Sequence, residues 1–198
     1  MKIIHIGHNF LSSEDKTQFN FTVYSKPDSS LLKDGKPFFI PDFAKKIEYQ
    51  LNIVYRINRL GKNISERFAH RYYDAVTVGL SLVDIEKEKE LLEAQAPLEL
   101  STGFDGSSII GSFIKKENLD VESFDIRLDV DSHIQRLSVR DMKASIDYII
   151  AFISKYYTLK IGDLIFVGES ADAVGNLEIG QNFKGYLDGN NVLSLKVC

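Results

Sequence analysis

Between positions 47 and 57 the chain alternates, with Ile47, Tyr49, Leu51, Ile53, Tyr55 and Ile57 set against Glu48, Gln50, Asn52, Val54 and Arg56. A period of two predicts a strand with two unlike faces. The same alternation returns over 123–131, where Phe124, Ile126, Leu128 and Val130 interleave with Asp125, Arg127, Asp129 and Asp131. His133 to Val139 reads as the partner of that strand. Shorter apolar runs predict strands at 2–6, 21–24, 76–83, 164–167, 181–187 and 192–197, the last three separated by glycines. Lys36 to Pro41 is expected to be extended, because a proline biases its predecessor away from helix. Residues 8–20 are polar and read as loop.

Helical signals are fewer. Asn63 with Glu66 three residues later predicts a capped helix running to about Tyr73. Residues 86–95 read as a charged surface helix. Met142, Ile146, Ile149, Ile150 and Ile153 recur at helical spacing, so a helix is expected from about Asp141 to Tyr157 with Ser138 or a neighbour as its cap. Ile161-Gly162-Asp163 reads as a turn. The sum is an α+β chain, mostly β and mostly antiparallel, with a few peripheral helices. Residues 1–198 are expected to form one domain, with 1–40 as N-terminal strands and loop of the same unit.

Composition narrows the function classes. Hydrophobic residues make up 44% of the chain, enough for a sizeable core, and thirteen Phe and nine Tyr supply bulk in the absence of Trp. The formal net charge of -4 is spread along the sequence, so neither nucleic acid nor an anionic membrane is an expected partner. Cys198 is the only cysteine, so no internal disulfide is expected. No apolar run matches a signal peptide or a bilayer span, and a cytoplasmic location is the expectation.

Composition and spacing offer little chemistry. Asp125 and Asp129 share a strand face, which suits either a cation or plain solvation. His5, His8, His70 and His133 have no metal-ligand spacing. No phosphate-binding glycine loop or nucleophile elbow is present.

The order of local spellings is more informative. It runs from Ile4-His5-Ile6-Gly7-His8-Asn9-Phe10 through Tyr24-Ser25-Lys26-Pro27-Asp28-Ser29-Ser30-Leu31-Leu32 and Gly35-Lys36-Pro37. It continues with Glu48-Tyr49-Gln50-Leu51-Asn52, Thr77-Val78-Gly79 and Phe104-Asp105-Gly106, and closes on Leu159-Lys160-Ile161-Gly162-Asp163-Leu164-Ile165-Phe166-Val167-Gly168. This ordered set resembles the fumarylacetoacetate hydrolase family over nearly the whole chain. The resemblance implies a mixed β-roll, a homodimer, and metal-assisted hydrolysis, isomerisation or decarboxylation of oxo-acids. In such chemistry a Mg²⁺ or Mn²⁺ held by carboxylates polarises a keto oxygen.

The chain departs from that pattern at the chemical positions. Gln50 and Asn52 stand where the resemblance places two strand carboxylates, Ser81 where it places an aspartate, and Thr102 where it places a lysine. The lid His-Glu pair aligns with Leu11-Ser12-Ser13-Glu14, and the closing Thr-Gly-Thr-Pro with Val167-Gly168-Glu169-Ser170. Asp105 is retained and Glu169 is a new carboxylate, so the candidate pocket comprises Gln50, Asn52, Ser81, Thr102, Asp105, Gly168 and Glu169. Neutral amides and hydroxyls offset little of a cation's dehydration, so no cofactor is expected, although the family uses Mg or Mn. The expected function is a divergent, non-catalytic protein that binds a small oxo-acid ligand or serves in an interaction. Two alternatives stay open. One is an oxo-acid isomerase or tautomerase using Gln50, Asn52, Ser81 and Thr102 as an oxyanion site. The other is a metal enzyme rebuilt around Glu48, Asp105 and Glu169.

Overall fold

The computed structural model describes residues 1–10, 21–33, 35–168 and 173–198 of the 198. Its strands are β1 (Ile3–Gly7), β2 (Thr22–Lys26), β3 (Leu31–Leu32), β4 (Ile47–Ile57), β5 (Tyr73–Asp84), β6 (Ser108–Ile110) and β7 (Ile114–Lys115). They continue as β8 (Asp125–Val130), β9 (His133–Ser138), β10 (Leu164–Gly168), β11 (Val174–Asn176), β12 (Asn182–Leu187) and β13 (Asn190–Lys196). The helices are α1 (Glu66–Ala69), α2 (Ile85–Glu93), α3 (Glu99–Thr102) and α4 (Ile146–Ile153).

The larger sheet has the order β2-β1-β10-β4-β5-β6-β3, with β11 added to β4 and β7 to β5. Most pairs are antiparallel, while β1 runs parallel to β10 and β3 parallel to β6. The smaller sheet has the order β13-β12-β8-β9. One face of β4 carries the alternating apolar set into the core against the smaller sheet and α4, and there the Tyr49 ring meets Phe183 edge-on at 4.9 Å. The expected mostly-β, α+β architecture is the one observed.

The other face of the large sheet is concave. β2 and β5 are separated by three strands, about 19 Å of flat sheet at ~4.8 Å per strand. Yet the Lys26 ammonium reaches the Ser81 hydroxyl at 2.9 Å. A lysine spans that gap only because the sheet curls into a roll, bringing its two ends together. A minor apolar cluster of Ile3, Val54, Ile110, Leu164 and Phe166 fills part of the interior.

The helices differ from the sequence expectation in instructive ways. The helix expected from Asn63 to Tyr73 is only α1, and Asn63 lies at φ 51°, outside the helix it was to cap. The segment is cut short because Tyr73 already pairs with Ile57 in the sheet. The helix expected over 141–157 begins after Ser145, whose hydroxyl accepts from the Tyr148 amide at 3.2 Å. Ser138 caps only a 3-10 turn at Val139–Asp141. Asn9 holds the intervening stretch extended. Its side chain accepts from the Ala144 amide at 3.0 Å and donates to the Ala144 carbonyl at 2.9 Å, while Phe10 bridges Met142. Asp84 caps α2, accepting from the Lys87 amide at 3.2 Å.

The Asp125 and Asp129 face holds no cation site of the kind considered. Arg127, between them, pairs with Asp129 at 2.9 Å and lies 4.1 Å from the Tyr186 ring centroid. Among the described residues no helix is long and apolar enough to cross a membrane.

Candidate functional site

Register brings the sequence-selected positions together. Gln50 pairs across to Ser81, Asn52 pairs with Gly79 on one side and with Gly168 on the other, and all point to the concave face. Residues directly opposite on antiparallel strands share a face, with Cβ atoms roughly 5 Å apart. Asn52 is buried, and its amide donates to the Gln50 carbonyl at 2.8 Å. Gly168 is a steric requirement of this packing, because a Cβ there would collide with Asn52 Oδ1 and the Leu51 carbonyl. Thr102 ends α3, and its hydroxyl donates back to the Leu98 carbonyl at 3.2 Å.

A cavity of about 500 Å³ opens over these residues. The edge strand β2 lines it with Thr22, Val23, Tyr24 and Ser25, β4 with Gln50, and α3 with Glu99 and Thr102. His8 and Glu88 add further ionisable groups. Of the sequence-selected residues, Gln50 and Thr102 reach the cavity, while Asn52, Ser81 and Gly168 lie behind it. Asp105 sits elsewhere, in an exposed turn before Gly106, which has φ +78°. Glu169 and the lid segment at 11–14 lie outside the described residues.

Two ionisable groups behind the cavity were not singled out from sequence. Lys26 is fully buried, and its ammonium donates to Ser81 Oγ at 2.9 Å, the Ser107 carbonyl at 3.0 Å and the Leu82 carbonyl at 3.1 Å. All three acceptors are neutral. Desolvation therefore pushes the lysine well below its ordinary pKa. His5 is sandwiched between Tyr24 and Phe166, with ring centroids at 5.0 and 4.5 Å. Its Nε2 lies 3.4 Å from Ser108 Oγ, which in turn contacts Ser30 Oγ at 3.1 Å. Burial, and then the charge of Lys26, push His5 well below the usual histidine range. The sequence did hold a signal for both, a basic residue in phase with the inward face of a short strand. Isolated basic residues in strands are usually solvated, and only the curl of the sheet buries these. His8, at φ 59°, has no metal-ligand spacing to mark it in the sequence.

Chemically, the cavity offers neutral hydrogen-bonding groups from Ser25, Gln50 and Thr102 beside the ionisable His8, Glu88 and Glu99. Such a mixture can orient a small polar ligand.

The sequence profile described as "Fumarylacetoacetate (FAA) hydrolase C-terminal" matches residues 2–192. A mitochondrial oxaloacetate tautomerase of Arabidopsis thaliana is 26% identical over 194 residues, covering 95% of this chain and 86% of that protein. A mitochondrial oxaloacetate tautomerase of Mus musculus is 25% identical over 203 residues, covering 98% of this chain and 90% of that protein. Among solved structures, fumarylpyruvate hydrolase from Pseudomonas aeruginosa in complex with Mn²⁺ and pyruvate superposes with a TM-score of 0.89. It is 22% identical, with 100% of this chain and 89% of that chain covered.

The expectation that no cofactor is used is overturned by this comparison, since a protein of the same fold is in complex with Mn²⁺ and pyruvate. Missing carboxylates do not by themselves exclude a cation, because amide and hydroxyl oxygens, water and the ligand's own oxygens all complete a hard cation's shell. The described residues nevertheless form no ready cage. Ser81 Oγ is held by the Lys26 ammonium, and among the described residues no three His, Cys, Asp or Glu side chains cluster as a metal would need. The roles derived below rest on the chain's own groups.

Proposed function

The chain belongs to the fumarylacetoacetate hydrolase family, and from that premise we propose that it is a binding protein for a small oxo-acid, seated in the cavity over Gln50 and Thr102. Gln50 orients the ligand's keto or carboxylate oxygen by donating from its side-chain amide, and Thr102, whose hydroxyl proton goes to the Leu98 carbonyl, lines the wall beside it. Ser25, on the edge strand, adds a further hydroxyl. The observation that carries this reading is the pairing of Gln50 with Ser81 at the centre of the site, two uncharged side chains in direct cross-strand register with a buried ammonium behind them. Such a site keeps the shape for an oxo-acid, and its central pair, Gln50 and Ser81, is uncharged. The kinship to oxaloacetate tautomerases supplies the ligand class.

One observation favours a second reading, an oxo-acid tautomerase. His8 lines the same cavity, and a histidine is suited to move a proton between the carbon beside a keto group and the keto oxygen. In that step the base takes the carbon-bound proton, the electrons pass to oxygen as the enolate, and the oxygen is then protonated.

Calorimetric titration with oxaloacetate and with pyruvate, with and without added Mn²⁺, tests the proposal when run beside an enol-to-keto rate assay. Saturable binding that Gln50→Leu weakens, with a tautomerisation rate no higher than buffer, is the expected result. Tautomerisation well above buffer that His8→Gln removes replaces the first reading with the second. Absence of binding by either acid, with and without Mn²⁺, overturns both.

A further inference from the structure

A second cavity, of about 550 Å³, opens at the far end of β4 from Gln50. Arg56 lines it, six residues along the same strand, which is roughly 20 Å from Gln50 at ~3.3 Å per residue. The two cavities therefore belong to opposite ends of the roll. Nothing in the oxo-acid reading uses this one.

Its lining divides by chemistry. Leu31, Ile110, Phe113 and Leu164 give an apolar wall continuous with the minor cluster inside the roll. Arg56 and Lys33 supply the charge, and both charged side chains among the described lining residues are cationic. Arg56 is held in one orientation. Its Nε and Nη2 donate to Asp74 at 2.9 and 2.8 Å, and its guanidinium lies 5.0 Å from the Phe113 ring centroid. A guanidinium has five N–H donors, so the pair with Asp74 leaves the Nη1 side able to donate. Lys33 is exposed and adds a positive charge that Asp74 does not offset.

We propose that this cavity is a binding site for a small amphipathic anion, a carboxylate attached to an aromatic or branched aliphatic body. The carboxylate is held by Lys33 and Arg56 while the body lies on Leu31, Ile110 and Phe113. The volume falls in the usual range for small-molecule sites, which are mostly apolar with a few fixed polar groups. Pre-fixing of Arg56 removes much of the entropy cost of ordering a long side chain on binding. The ligand class differs from that of the first cavity in needing an apolar body.

The test is calorimetric titration of the full chain with 3-phenylpropionate and with its uncharged amide. The acid is expected to bind with a Kd below about 1 mM, and the amide about tenfold more weakly. Lys33→Glu, at an exposed position, should weaken the acid about tenfold without moving the urea midpoint. Gln50→Leu, at the other end of the roll, should leave the affinity unchanged. Equal affinity for acid and amide, no binding into the 10 mM range, an affinity indifferent to Lys33→Glu, or loss of binding in Gln50→Leu would each overturn the proposal.

Discussion

The ammonium of Lys26, sealed inside the roll, donates a hydrogen bond of 2.9 Å to the hydroxyl of Ser81 four strands away. That contact ties the free edge of the large sheet to its middle and sets the lysine beside an uncharged hydroxyl. Its neighbours Gln50 and Asn52 complete a group of uncharged side chains on one concave face. Replacing all three with acids, as Gln50→Glu, Asn52→Glu and Ser81→Asp, places carboxylates at adjacent register positions. The triple variant is expected to bind Mn²⁺ at least about tenfold more tightly than the parent in calorimetric titration. A triple variant no tighter than the parent would mean that the three positions do not converge on a single point.

His5 makes stability depend on pH. Its folded pKa lies well below 6.5, so between the two values the unfolded chain carries a proton that the folded chain does not. Stability is therefore complete above about pH 6.5 and falls as pH drops through that value, by up to about 1.4 kcal/mol per pH unit for one proton. Urea midpoints measured from pH 8 to pH 5 should show the decline, and His5→Phe, which keeps the stack between Tyr24 and Phe166, should flatten it. An unchanged slope in His5→Phe would assign the decline to other groups.

Lys26 acts in the opposite part of the scale. Its folded pKa is depressed below 10.5, so the unfolded chain holds the extra proton and stability rises with pH across the window up to that value. The difference in unfolding free energy between the parent and Lys26→Met should shift in the parent's favour from pH 7 to pH 10. A constant difference over that range would place the folded pKa of Lys26 near its ordinary value.

Gly168→Ala is expected to cost about 2–4 kcal/mol, because the new methyl must displace both the Asn52 side chain and the Leu51 carbonyl. Chemical denaturation measures it. Gly180→Ala is the control, since its Cβ would meet nothing within 4 Å and only its φ of +93° is strained. Gly180→Ala should therefore cost less, about 1 kcal/mol.

Ser145→Ala should cost about 1 kcal/mol by removing the cap of α4, and Ser138→Ala only a few tenths. The reverse order would place the start of the long helix back at Ser138.

The strands were legible because alternation is a local signal. The period at 47–57 matches β4 to the residue, and the run at 133–139 matches β9 to within one. The helix limits were less so. Whether Met142 continues a helix is decided by Asn9, a residue far off in sequence that hydrogen-bonds Ala144. Short strands such as β3 and β7, of two residues each, leave no periodicity to detect and exist only through their partners. The sequence singled out the positions of Gln50, Asn52, Ser81 and Thr102, and register places the first three together. It also ranked Asp105 with them, which the structure puts in an exposed turn away from the cavity.

By itself, then, the sequence determined which of the longer stretches are strands, which face of each is apolar, and to which family their order belongs, because these follow from side-chain period and local spelling. Only the tertiary structure decided that Lys26 and His5 are buried, that β2 forms a wall of the cavity, and that Gln50 and Arg56 serve two separate cavities. The reason is the closure of the sheet. Curling brings together edges that are distant both along the chain and across a flat sheet, and no local pattern encodes which side chains will meet inside.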